Sequence, residues 1–265
     1  MLHAVVIGVD TYADPKIKPL QCARADAEAL AEVLSERSAE ERQVTLLVDE
    51  RATKSRIARV LTDELPRRVG RSDAVLLYFA GYGSPEIEVY DSEPSIHLVM
   101  HDTRHARLHA TSINMISELG PWARRLPARL VAVIVDASFN GMPGGRTFEG
   151  PGLFSGPRTT SLDRISLGRV AVGPHLALLA ASGEREVARE DVALGHGVFT
   201  HHLLGALRSP ALEARTVSAS ALHAAVAGPV RDRTDGAQVP ASYGGALTAP
   251  LLRIGGRSAA RSATA

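Results

Sequence analysis

The chain has a single cysteine, Cys22, among 265 residues. One thiol excludes an intramolecular disulfide and suits a reducing compartment, so the cytoplasm is the expected location. An excess of charge of either sign is also lacking: charged residues make up 22% and the net charge is +1. That balance gives no reason to expect nucleic acid or an anionic membrane as a partner. Lysine occurs only as Lys16, Lys18 and Lys54, and the remaining basic residues are arginine, which reads as coding bias rather than an anion site. No apolar run approaches the length needed to cross a bilayer. The opening Met1-Leu-His-Ala-Val-Val-Ile-Gly8 lacks the basic leader of a signal peptide and its apolar run ends at Asp10. There is no internal repeat. What is present is a 45% hydrophobic chain of ordinary globular composition, long enough for one large domain or two small ones.

Two apolar runs organise the sequence. Residues 129–141 carry six apolar residues into Asp136-Ala137-Ser138-Phe139-Asn140-Gly141, and residues 74–83 run from Ala74-Val-Leu-Leu-Tyr-Phe into Ala80-Gly81-Tyr82-Gly83. Continuous apolar runs that stop in a small polar residue and glycine read as buried parallel strands delivering a site at their carboxyl ends. Adjacent strands of this kind place Tyr82 and Ser138 side by side at the sheet rim.

Further strands are expected at 4–10, 44–49, 96–100 and 175–181, with a short closing strand at 251–254. Helices are expected at 20–34, after a Thr53 cap, from Ser112 with Pro121 bending or ending it, at 198–207 and at 218–226. Ser84 to Pro94 reads as a polar connection. Residues 139–174 read as a long loop rich in glycine and proline with four arginines, Arg146, Arg158, Arg164 and Arg169. Alternating strands and helices predict an α/β fold, a mostly parallel central sheet with helices on both faces. One domain is expected over 1–254, followed by a small, polar tail or linker over 255–265.

The two strand-end turns, Ala80-Gly81-Tyr82-Gly83 and Asp136-Ala137-Ser138-Phe139-Asn140-Gly141, resemble those of the caspase-like cysteine peptidases, and are closer to the bacterial orthocaspase and metacaspase branch than to animal caspases. The opening Ile7-Gly8-Val9-Asp10 with Tyr12, the Asp26-Ala27 of the first helix, and Gly195-His196-Gly197-Val198-Phe199-Thr200 extend the likeness over about residues 1–254. The resemblance implies the caspase-like three-layer sandwich. It also implies that Tyr82 stands where the family has its catalytic histidine and Ser138 where it has the nucleophilic cysteine. Asp26 and Asp136 match aspartates that line a pocket for an arginine or lysine side chain. A serine hydroxyl needs a positioned base, and neutral tyrosine is a poor one, so a hydrogen-bonded Tyr82–Ser138 pair is expected rather than a catalytic dyad.

The expected function is therefore that of an inactive peptidase homologue: a peptide- or protein-binding adaptor or regulatory module in bacterial signalling or defence, alongside a fused or neighbouring effector domain. Its ligand would be a peptide carrying a basic side chain; no metal and no cofactor are expected. The alternative is a hydrolase cleaving after arginine or lysine with Ser138 as nucleophile. No Gly-x-Ser-x-Gly elbow supports that alternative. A third reading is a purely structural domain, in which Asp26 and Asp136 serve only to tie down backbone and no cleft remains. Histidines 101, 105 and 109 recur at helical spacing but follow a strand directly, and read as an exposed polar segment rather than a metal site. His196 reads as part of a helix-entry turn rather than a substitute base.

Overall fold

The computed structural model of the protein describes residues 1–37, 39–87, 94–140, 144–148, 167–183, 185–213 and 215–255. In chain order its elements are β1 (Leu2–Gly8), α1 (Ala23–Arg37), β2 (Arg42–Val48), α2 (Lys54–Arg59, continued by a π-helical turn to Glu64) and β3 (Ala74–Ala80). Then come β4 (Gly83–Ile87), β5 (Pro94–Leu98), α3 (Leu108–Thr111), β6 (Ile113–Asn114), α4 (Gly120–Arg125, entered through a π-helical turn from Met115) and β7 (Leu130–Asp136). The last are β8 (Leu176–Ala180), β9 (Glu190–Asp191), β10 (His196–Gly197), α5 (Val198–Arg208), β11 (Thr216–Ser218), α6 (Ala219–Arg233), β12 (Ala241–Tyr243) and β13 (Pro250–Arg253).

The central sheet runs β12-β8-β7-β3-β1-β2, parallel throughout except for β12 at one edge. Every residue of β1, β3 and β7 is buried, which is why these strands read as unbroken apolar runs: both faces are covered. Alternate side chains feed two cores. On one face Leu2, Val6, Tyr78 and Ile134 pack with α1, α5 and α6 through Leu30, Leu34, Phe199, Leu203, Leu222 and Val226. On the other, Val5, Ile7, Phe79 and Val133 pack with Ile57, Leu61, Leu119 and Ala123 of the α2 and α4 segments. The result is the expected three-layer sandwich.

Several boundaries differ from the sequence reading, each for a local reason. The stretch after Gly83 is strand β4, paired antiparallel to β5. Its composition hides this, and Pro85 is tolerated because β4 lies at the edge of its small sheet. Ser112 ends α3 rather than starting a helix, with its hydroxyl bonded to Leu108 O and His97. The cap is Asn114, whose Oδ1 accepts from Ile116 and Ser117 N–H. Pro121 is the second residue of α4, directly after the π-helical turn from Met115, and does not end the helix, which runs on to Arg125. Thr53 caps α2 as expected. Helix α6 runs on to Arg233 through Pro229, and β12 carries no strand-like pattern of its own. Of the expected tail only Gly255 lies within the described residues, and Arg158 and Arg164 lie outside them. Among the described residues no helix is long and apolar enough to cross a membrane.

Candidate functional site

Strands β3 and β7 are neighbours, in register with Ala80 opposite Asp136. Tyr82 and Ser138 each stand two residues beyond that pair, so the sequence reading places them correctly at one rim. It is corrected on their bonding. Ser138, fully buried, is bonded through Oγ to Thr147 Oγ1 at 2.6 Å, and Thr147 Oγ1 donates its own proton to Asn140 Oδ1 at 3.1 Å. Ser138 is therefore the donor in the first bond, to an uncharged hydroxyl that cannot act as a base. Tyr82 instead lies among aromatic rings, 5.5 Å from Tyr12 and 6.0 Å from Phe148 between centroids. Burial, reinforced by nearby Glu190, pushes its phenol above its ordinary pKa and keeps it neutral.

Behind this rim is a closed acidic chamber. Asp136 is the last residue of β7 and Asp26 lies in the first turn of α1; both are inaccessible to solvent. Between them is Arg146, also with 0% exposure. Its Nη2 is 2.5 Å from Asp26 Oδ2 and 3.2 Å from Glu190 Oε1, and its Nη1 is 2.9 Å from Asp136 Oδ2. Burial opposes the guanidinium charge, but Asp136 and Asp26 hold it protonated, well above its ordinary pKa. Burial raises the Asp136 carboxyl against the pull of Arg146.

Each carboxylate has further partners. Asp26 accepts from the Gly197 N–H at 3.0 Å and meets His196 Nδ1 at 2.7 Å. Asp136 accepts from Thr200 Oγ1 at 2.6 Å, and that hydroxyl also meets Tyr78 OH at 2.6 Å. Glu190 accepts from the amides of Gln21 and Cys22. Burial, with Glu190 beside it, pushes the Cys22 thiol up to about 12, so the only cysteine is no nucleophile at neutral pH.

The backbone of Arg146 is held as firmly as its side chain. Its carbonyl accepts from Gly83 N at 3.0 Å and Ser138 N at 3.1 Å, and its own N–H donates to Ala188 O at 2.8 Å. Phe148 N donates to Gly83 O at 2.8 Å, so 146–148 runs parallel to Gly83 as an added strand segment. Gly145 must be glycine: its φ is +58°, and a Cβ would lie 2.3 Å from Ala188 O. Outside this segment opens a cleft of about 800 Å³, its wall including Lys16, Leu20, Tyr82, Phe148, Arg189 and Glu190.

Thus Asp26 and Asp136 do converge on a basic side chain, but one supplied by the chain itself. In the sequence Arg146 is one of four arginines in a long loop, a segment that in active relatives is where self-cleavage occurs, and nothing there assigns it to Asp26 and Asp136; the paired glycines before it, Gly144-Gly145, are the available sign of a special backbone. Glu190, Thr147, Thr200 and Gly197 were not foreseen as site residues. The histidines at 101 and 105 serve locally: His101 meets Thr11 O at 2.7 Å, and His105 sits edge-on to Phe148.

The family model for the caspase domain, Peptidase C14, matches residues 1–252. Among solved structures, the chain is similar to a Geobacter sulfurreducens protein, GSU0716, with a TM-score of 0.68 at 18% identity over 95% of this chain and 96% of the other. It is also similar to caspase-1 from Spodoptera frugiperda, with a TM-score of 0.57 at 13% identity over 99% of this chain and 92% of that one. At these identities the likeness is one of fold. No curated protein matches the sequence.

Proposed function

We propose that this chain, a member of the caspase-domain family, carries Tyr82 and Ser138 in place of the family's catalytic histidine and cysteine and is an inactive homologue that works by binding. In this reading it is a peptide- or protein-binding adaptor or regulatory module of bacterial signalling or defence, acting in the cytoplasm. The ligand docks in the 800 Å³ cleft beside Tyr82 and Phe148, and a basic ligand side chain would compete with Arg146 for Asp26 and Asp136.

One observation carries this reading. Among the described residues, the Ser138 hydroxyl bonds to Thr147 alone, and no imidazole, carboxylate or amine accepts its proton. General-base help at such a hydroxyl requires an acceptor within about 2.6–3.2 Å. A purely structural role is disfavoured by the cleft that remains open although both aspartates are internally bonded.

The test is hydrolysis of fluorogenic peptides bearing arginine or lysine before the reporter, for the wild type and for Ser138→Ala. Both proteins are expected to match the enzyme-free blank. Turnover by the wild type that vanishes in Ser138→Ala would establish an active hydrolase in place of the binding module.

A further inference from the structure

We infer that residues 144–148 are an internal pseudosubstrate: the chain holds its own Arg146–Thr147 peptide bond in the register of a bond to be cut, and so closes its arginine chamber to outside ligands. This deepens the binding reading above and rests on it, since it takes the cleft to be one that receives peptide.

Three independent contacts define the register. The guanidinium of Arg146 is enclosed by the carboxylates of Asp26, Asp136 and Glu190. The Arg146 carbonyl lies between two convergent backbone donors, Gly83 N and Ser138 N. Two amides aimed at one carbonyl oxygen are the arrangement that stabilises the oxyanion of acyl transfer. Finally, Ser138 brackets a single peptide bond, its amide bonded to the carbonyl before it and its hydroxyl to the Thr147 side chain after it. A side chain merely neutralising buried acids would need the first contact only. The backbone pairing to Gly83 and Ala188 adds the extended, strand-like seating by which peptides are commonly held.

The chemistry missing from this arrangement is a nucleophile and a base. With Ser138→Cys and Tyr82→His both would be restored. The thiolate would add to the Arg146 carbonyl carbon and the imidazolium would give its proton to the departing Thr147 nitrogen. Water would then hydrolyse the thioester, leaving a carboxylate on Arg146 and the thiol regenerated. In the wild type the bond stays whole and the segment acts as a plug. An external arginine must displace it, and a plug seated ~99% of the time weakens apparent affinity about a hundredfold.

The experiment is intact-mass analysis of the purified Tyr82→His/Ser138→Cys chain over time. Scission into 1–146 and 147–265, abolished when Arg146→Ala is added, is the expected result. Cutting at another arginine with the 146–147 bond intact, or cleavage of an added arginine peptide by the uncut double variant, would overturn the inference. If the double variant is inert towards both, calorimetry with agmatine decides. Arg146→Ala should then bind agmatine about a hundredfold more tightly than the wild type, and equal affinities would overturn the proposal. Ser138-dependent turnover by the wild type is a separate outcome, and contradicts the binding-module reading instead.

Discussion

Arg146→Ala is expected to lower the free energy of unfolding by about 3–5 kcal/mol, the range for removing one member of a buried ion pair. The size follows from what is left behind. Asp26 and Asp136 have no solvent exposure, and without the guanidinium they lose the positive charge that balances them. What remains around them is Gly197 N and the part-exposed His196 Nδ1 at Asp26, and Thr200 Oγ1 at Asp136, none of which replaces a guanidinium shared by both carboxylates. Urea denaturation followed by circular dichroism measures the loss. In an Asp136→Asn background the same replacement should cost less, with a coupling of roughly 0.5–3 kcal/mol between the two positions. A loss below about 1 kcal/mol, as for an exposed pair, would mean that the guanidinium is not enclosed.

Gly197→Ala should be the second most damaging small change, at about 1–3 kcal/mol, the usual cost of overpacking. A Cβ there would lie 2.7 Å from Asp136 Oδ2 and 2.8 Å from Arg146 Nη1, pushing apart the pair at the centre of the chamber. Gly205, within helix α5, which Gly197 caps, is the control. A Cβ at that position meets nothing within 4 Å, so Gly205→Ala should stabilise by about 0.5–1 kcal/mol through helix propensity. Thermal unfolding of the two variants should therefore shift in opposite directions from the wild type. A fall at both positions would show that crowding of the ion pair is not what sets the cost.

The parts of the fold visible in the sequence are those in which pattern and environment coincide. Strands β1, β3 and β7 are covered on both faces, so their apolar runs were unmistakable. Their order in the sheet brought Tyr82 and Ser138 to one rim, as the paired turns implied. Strands β4 and β12 escaped because their pairing comes from neighbours rather than from their own side chains.

The site was legible in its acids but not in their occupant. Asp26 and Asp136 could be named from motif positions, yet nothing in a local pattern shows which distant cation they hold. Arg146 is 120 residues from Asp26, and an arginine in a glycine-rich loop looks like any exposed one. The expected Tyr82–Ser138 bond failed for a related reason: Thr147, nine residues beyond Ser138, reaches its hydroxyl first.

The proposed inactivity would have two layers. Ser138 donates only to the neutral Thr147 hydroxyl, which is no base, and in the proposed register the place of a substrate carbonyl is taken by the carbonyl of Arg146. The most direct measurement of this claim is treatment of the wild-type chain with a fluorophosphonate, which modifies activated serine hydroxyls, followed by intact-mass spectrometry. An unactivated hydroxyl donating to Thr147 should leave the mass unchanged over hours, beside an active serine hydrolase that is fully labelled. A single stoichiometric adduct on the wild type, absent from Ser138→Ala, would contradict it.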